Sequence, residues 1–333
     1  MAKISFLVTY YNQKEFVERS LMSVLNQNLP YDYEILIGDD GSTDGTVEEV
    51  NRFVEKYPDK IKLFQMPRNN EPVQKSIHRA AANRINLLKH MHGEYFCVLD
   101  GDDYYNNMNF ASKGISILDN NKSLSCCAFD FELVYKDRKE TYNTGIKKEC
   151  IINAKNYVKN LYLHSGAFVF RNIFTPEKID IVEKSKNFDD NLITIFMLQF
   201  GDMYYFKELA YSYSQSENSL WNSFSKPEQH LLNTMDYEII SKAAPVFKRE
   251  LFSRQFQNIK FIYQNKSRLK FLLGDILYEK YIQENKELNN KIVLDFLNWN
   301  IINSFRKCEL VLWYNSGKIR RQYDKVFRFI QNK

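Results

Sequence analysis

The apolar run Tyr95-Phe96-Cys97-Val98-Leu99 opens directly into Asp100, Gly101, Asp102 and Asp103. No other segment restricts the fold of this chain so strongly. A carboxylate taken out of water without a partner is costly, and carboxylates this close repel one another. A buried strand ending this way therefore calls for a cation. Hard oxygen ligands on a short segment suit Mg²⁺ or Mn²⁺, which bind proteins through one or two carboxylates together with substrate phosphates. The first expectation is a metal–diphosphate site.

The first half of the chain alternates strand and helix around that segment. Apolar runs predict strands at residues 4–8, 33–37, 61–65 and 95–99. Phe16, Val17, Ser20, Leu21, Val24 and Leu25 follow helical spacing, as do Val47, Val50, Val54 and Tyr57, with Thr43 or Asp44 placed to cap the second helix. Residues 76–92 read as a third helix. Such alternation predicts an α/β fold with a mostly parallel, Rossmann-like sheet flanked by helices. Ligands on such sheets bind beyond the carboxyl ends of the strands. Thr9, Asp39, Asp40 and residues 100–103 all fall there, although they are far apart in sequence. Strands are expected again at 125–135, 167–171 and 203–213, and from about Lys226 the pattern is helical and aromatic-rich. A soft boundary falls near residues 220–230.

Charge is divided unevenly. Residues 226–333 carry 20 Lys and Arg against 11 Asp and Glu, while the residues before them have an acidic excess. The split suggests an anionic partner for the C-terminal part. No nucleic-acid motif accompanies it, so nucleic acid is not expected, and an anionic membrane surface is the other candidate. Ile319, Tyr323, Val326, Phe327 and Ile330 recur at helical spacing among Lys318, Arg320, Arg321, Lys325 and Arg328. That is a basic amphipathic helix, suited to a membrane surface or to packing on the domain or a second subunit. No apolar run approaches the roughly 18 residues of a membrane span, and the apolar opening is too short for a signal peptide. Cys97, Cys126, Cys127, Cys150 and Cys308 are odd in number and lack metal or redox spacing. They read as reduced thiols, and the expected location is cytoplasmic, with peripheral attachment at the inner face of the cell membrane left open.

Four segments together resemble the family-2 glycosyltransferases, inverting enzymes with the GT-A fold. They are the opening strand ending Thr9-Tyr10-Tyr11-Asn12; Asp39-Asp40-Gly41-Ser42-Thr43-Asp44-Gly45-Thr46; Gly93-Glu94-Tyr95 through Asp100-Gly101-Asp102-Asp103; and Asn187-Phe188-Asp189-Asp190 ahead of Gly201. The resemblance implies a catalytic domain at 1–222, with a nucleotide-binding half at 1–110 and an acceptor-binding half at 111–222. A basic helical region would follow at 223–333. It also implies roles. Asp40 and Thr9 would lie beside the nucleotide base, and Arg79 would contact the diphosphate, with Arg84 as a rival. Asp102 would hold Mn²⁺ or Mg²⁺, with Asp100 near the ribose or sharing the metal and Asp103 orienting the loop. Asp190 would be the general base, with Asp189 as its rival and a helix cap as the plainer reading of both.

One departure stands out. Ser216 falls where many relatives carry a metal-binding His, so the third ligand is unassigned, and Glu217, diphosphate or water would have to fill the place. His164 and the pair His90 and His92 read as structural. The expected activity is transfer of a sugar from a nucleotide-sugar, a UDP-sugar by preference, to a hydroxyl of a glycan, wall polymer or lipid-linked acceptor. A non-catalytic scaffold with the same fold is the alternative. A sugar-nucleotide nucleotidyltransferase is disfavoured, because a glycine-rich basic loop is missing after the first strand. Oligomeric state is undetermined, with self-association through the helical extension a further option.

Overall fold

A computed structural model describes residues 2–66, 68, 76–185, 188–215 and 226–264. Ser216, Glu217, the basic helix around Ile319 to Ile330 and Cys308 lie outside the described residues. The chain divides into two compact units, Met1–Ser223 with Ile239–Leu251, and Phe224–Glu238 with Phe252–Lys333. Every candidate site residue belongs to the first.

The strands are β1 (Ile4–Tyr10), β2 (Tyr33–Asp39), β3 (Ile61–Gln65), β4 (Tyr95–Asp100), β5 (Tyr104–Tyr105), β6 (Leu124–Val134), β7 (Lys139–Thr141), β8 (Cys150–Ile152), β9 (Phe168–Arg171) and β10 (Asp202–Ser214). They form one sheet in the order β3-β2-β1-β4-β9-β6-β10-β5, with β7 on β6 and β8 on β10. The helices are α1 (Val17–Leu25), α2 (Thr46–Lys56), α3 (Ser76–His90), α4 (Phe110–Asn120), α5 (Ala154–Asn160), α6 (Pro176–Ser185), α7 (Asp190–Met197), α8 (Lys226–Ala243) and α9 (Lys248–Gln264). The expected α/β architecture is present. β1, β2, β3 and β4 are mutually parallel. β1 and β4 are buried along nearly their whole length, which is why they read as unbroken apolar runs.

The structure corrects several details. Within the mostly parallel sheet β9 enters antiparallel between β4 and β6, a direction its apolar run does not specify. β1, β2 and β4 run past the apolar residues to Tyr10, Asp39 and Asp100, because the ladder continues where side chains turn polar. α2 is capped neither by Thr43 nor by Asp44. Its N-cap is Gly45 at φ 95°, and the Asp44 carboxylate accepts the Thr46 N–H one position further in, at 3.0 Å. α3 stops at His90, and the His92 N–H donates instead to Glu34 Oε1 at 2.6 Å. No helix among the described residues is long and apolar enough to cross a membrane.

Packing beneath the sheet is tight at Gly114 on α4. A Cβ there would stand 2.5 Å from Val169 Cγ2 and 2.9 Å from Cys127 Sγ. Alanine gains about 1 kcal/mol in helix propensity, but overpacking a filled core costs about 1–3 kcal/mol. Gly114→Ala should therefore lower stability, read as a reduced urea midpoint with unchanged slope. A raised midpoint would show that the core yields there.

Candidate active site

The ends of β1, β2 and β4 lie side by side. Thr9 is in register with Asp100, and Tyr10 with Asp39. Asn12, at φ 51°, ties the loop after β1 to the loop after β2, because its Oδ1 accepts the Thr43 N–H at 2.8 Å. The adjacent acids Asp39 and Asp40 divide the work. Asp39 Oδ1 accepts the N–H groups of Gly41 and Ser42 at 3.0 and 2.9 Å and so builds the turn. Asp40, only 4% exposed, makes no turn contact with its carboxylate. Instead it is held by Arg68 and by Arg79, whose Nε donates to Asp40 Oδ1 at 2.7 Å. The Arg68 guanidinium also lies 3.7 Å from the centre of the Tyr11 ring.

Arg84, one and a half turns further along α3, occupies the other strand end. Its Nη2 donates to Asp100 Oδ1 at 2.5 Å and its Nη1 to the Phe188 carbonyl at 3.1 Å. Burial alone would lower the Arg84 pKa, but Asp100, Asp190 and Asp189 outweigh it and hold the guanidinium firmly charged. Burial likewise raises the Asp100 pKa. Arg84 and the hydrogen bond from Thr9 Oγ1 at 3.1 Å prevail, and the carboxyl ends below its ordinary range.

The remaining acids differ. Gly101 is required, since a Cβ would stand 2.1 Å from Tyr10 Cδ1. Asp103 is fully buried, takes the Tyr211 hydroxyl on Oδ2 and the Ser214 N–H on Oδ1 at 2.7 Å, and so anchors the loop to β10. Burial, then the charges of Asp102 and Asp100, push its carboxyl well above the usual range. The Asp102 carbonyl accepts from Arg19 at 2.6 Å and from Ser214 Oγ. Its carboxyl is pushed up to about 6, by burial first and by Asp100 second. Acids held this way fit a divalent cation, which would remove the repulsion that raises them. Asp100, Asp103 and His164 present donor atoms within 4.8 Å of one another.

Asp190 begins α7, just after its N-cap. Asp189 is that cap, accepting the Leu192 N–H at 2.8 Å. Asp190 is spared the capping role. Its Oδ1 accepts from Ser165 Oγ, and its Oδ2 lies 3.3 Å from His164 Nε2 and 3.5 Å from the Tyr162 hydroxyl. The Tyr213 hydroxyl, raised first by burial, feels Asp190, Asp103, Asp100 and Asp102, so these acids share one site.

Burial pushes Asp189 up to about 6 against an ordinary 3.8, and the charge of Asp190 adds to it. The folded chain thus keeps a proton that the unfolded chain releases, and stability falls as pH rises between those values. Asparagine caps as well as aspartate and carries no charge. Asp189→Asn should unfold at a higher temperature than the wild type at pH 7, with the gap closing toward pH 4. An equal gap at both pH values would contradict the assignment.

The structure thus brings Asp100 and Asp190 to Arg84, with Thr9 bonded to Asp100 and Asp102 beside it, and places Arg79 with Asp40 instead. Sequence reasoning passed over Tyr162, Ser165, Tyr213 and Arg19, and set His164 aside as structural. The one available signal was the small polar stretch His164-Ser165-Gly166 between apolar runs, where a Gly166 Cβ would stand 2.1 Å from the Tyr211 ring. His90 and His92 have structural partners: His90 packs on Phe64 and His92 pairs with Glu34.

A family model described as Glycosyl transferase family 2 matches residues 5–175. An uncharacterized protein of Mycobacterium bovis is 27% identical over 135 residues, 40% of this chain and 36% of that protein, so the chain spans about a third of that relative's length. The poly(ribitol-phosphate) beta-glucosyltransferase of Bacillus spizizenii is 32% identical over 103 residues, 31% of this chain and 15% of that protein. Among solved structures, S. aureus TarS 1-349 is similar at a TM-score of 0.57 and 18% identity, covering 84% of this chain and 78% of that one. The same protein in complex with UDP-GlcNAc gives 0.53 and 17%, over 79% and 81%. At such identities the likeness is one of fold.

Proposed function

We propose that this chain, which belongs to glycosyl transferase family 2 and has a GT-A fold, is a metal-dependent inverting glycosyltransferase using a UDP-sugar. The observation that carries this reading is the gathering of Asp190 and Asp100 around the part-buried Arg84, with Asp102 beside Asp100. A base on one side and a grip for an anionic leaving group on the other is what a single in-line displacement needs.

In this reading Asp190 accepts the proton of the acceptor hydroxyl as its oxygen attacks the anomeric carbon. The bond from that carbon to the diphosphate oxygen breaks, and its electron pair leaves with UDP. Asp102, with Asp100, would hold Mn²⁺ or Mg²⁺, which when bound supplies positive charge for the departing diphosphate. Arg84 keeps Asp100 in place and adds fixed positive charge there. Asp40 would accept the imide N–H of uracil, with Arg79 turning from it toward a diphosphate oxygen and Thr9 beside the base. Similarity to a poly(ribitol-phosphate) glucosyltransferase supports an acceptor among wall polymers, glycans or lipid-linked glycans. We further propose a catalytic domain at 1–222 and a basic region at 223–333 that serves attachment to an anionic membrane surface or a second copy of the chain.

UDP release from a panel of UDP-sugars, with Mn²⁺ or with EDTA, tests this directly. Slow release from one donor that disappears with EDTA is the expected result. Release undiminished by EDTA, or no metal-dependent UDP binding at all, would overturn it.

A further inference from the structure

His164 is buried to 2% exposure and lies between the rings of Tyr211 and Tyr213, with centroids 5.1 and 4.2 Å away. Its Nδ1 accepts the Gly166 N–H at 3.2 Å, which places a lone pair on Nδ1 and therefore a proton on Nε2. That Nε2 lies 3.3 Å from Asp190 Oδ2. A nitrogen that carries a proton has no lone pair to give a metal, and the nitrogen with the lone pair already accepts from the backbone. His164 shares the neighbourhood of Asp100 and Asp103, yet its Nδ1 is committed to the backbone and its Nε2 faces Asp190.

We propose that His164 is a positioning residue for Asp190, donating Nε2–H to Oδ2 and taking no part in binding the cation. With Ser165 Oγ on Oδ1, it fixes the plane of the carboxylate, so that the remaining lone pairs face the incoming hydroxyl. The Gly166 N–H sets the tautomer, and the two tyrosine rings stop the imidazole from turning. The inference rests on Asp190 being the base.

The tautomer can be read first, from the imidazole ¹⁵N shifts of the full chain, with His164→Gln identifying the signals. Protonated Nε2 with bare Nδ1 is expected, and the opposite tautomer would overturn the proposal even if no donor is turned over. In UDP release, His164→Ala should lower kcat at least about tenfold, because a misplaced base loses rate more than binding. The donor KM, and the Mn²⁺ affinity read by electron paramagnetic resonance in the presence of UDP, should stay within about twofold. His164→Gln, whose amide N–H reaches the same place, should recover part of the loss. An unchanged kcat in His164→Ala, or a tenfold loss of Mn²⁺ affinity, would overturn the proposal. Full activity in Asp190→Asn would sink the base assignment itself, whereas loss there beside an unaffected His164→Ala would sink only this proposal.

Discussion

Asp190→Asn is expected to lower the rate of sugar transfer by about 10²–10⁴-fold while donor binding stays within about twofold. Asparagine keeps the shape, and its one amide oxygen can still accept from Ser165 or from His164, but it cannot take a proton from an attacking hydroxyl. The backbone should not notice, because the helix cap is Asp189 and not Asp190. The direct contact on the diphosphate side stays, since Arg84 keeps its bond to Asp100. The loss should therefore appear in kcat, with the UDP-sugar dissociation constant by calorimetry unmoved. A variant that keeps more than about a tenth of the wild-type rate would remove Asp190 from the role, because general-base catalysis contributes more than that.

Asp102→Asn should cost nearly as much, about 10²-fold or more, and excess Mn²⁺ should restore little of it. Asp103 has both carboxylate oxygens committed, to Tyr211 and to the Ser214 N–H. Asp100 has Oδ1 committed to Thr9 and Arg84. Asp102 spends its backbone carbonyl on Arg19 and Ser214, and its carboxylate stands near Asp100 with a pKa pushed up to about 6. A cation between Asp102 and Asp100 would remove that repulsion. Titrating UDP release with Mn²⁺ checks the point. Wild-type activity in the variant at saturating Mn²⁺ would show that Asp102 is not the principal ligand.

The parallel core was legible because β1 and β4 are apolar on both faces, and a five-residue apolar run ending in acids has few other readings. β5, β7 and β8 were not, since two or three residues set no periodicity. Nor does an apolar run encode its direction, so the antiparallel entry of β9 was invisible. At the site, the strand-end acids were read correctly as neighbours, for the strand order follows from the α/β pattern. The choice between Arg79 and Arg84 was not readable. Five residues on a helix turn the side chain by about 140°, and which face meets Asp100 depends on how α3 lies on the sheet. The short polar stretch at His164 could not point to Asp190, because that partner is brought to it only by the start of α7.

The central claim, a single displacement driven by Asp190, is tested most directly by the configuration of the released sugar. Proton NMR should follow hydrolysis of an α-linked UDP-sugar by the wild-type chain with Mn²⁺, recorded before the anomers equilibrate. The account predicts that the β anomer forms first. An α anomer formed first would mean retention, and with it a mechanism in which Asp190 is not the base of one in-line step.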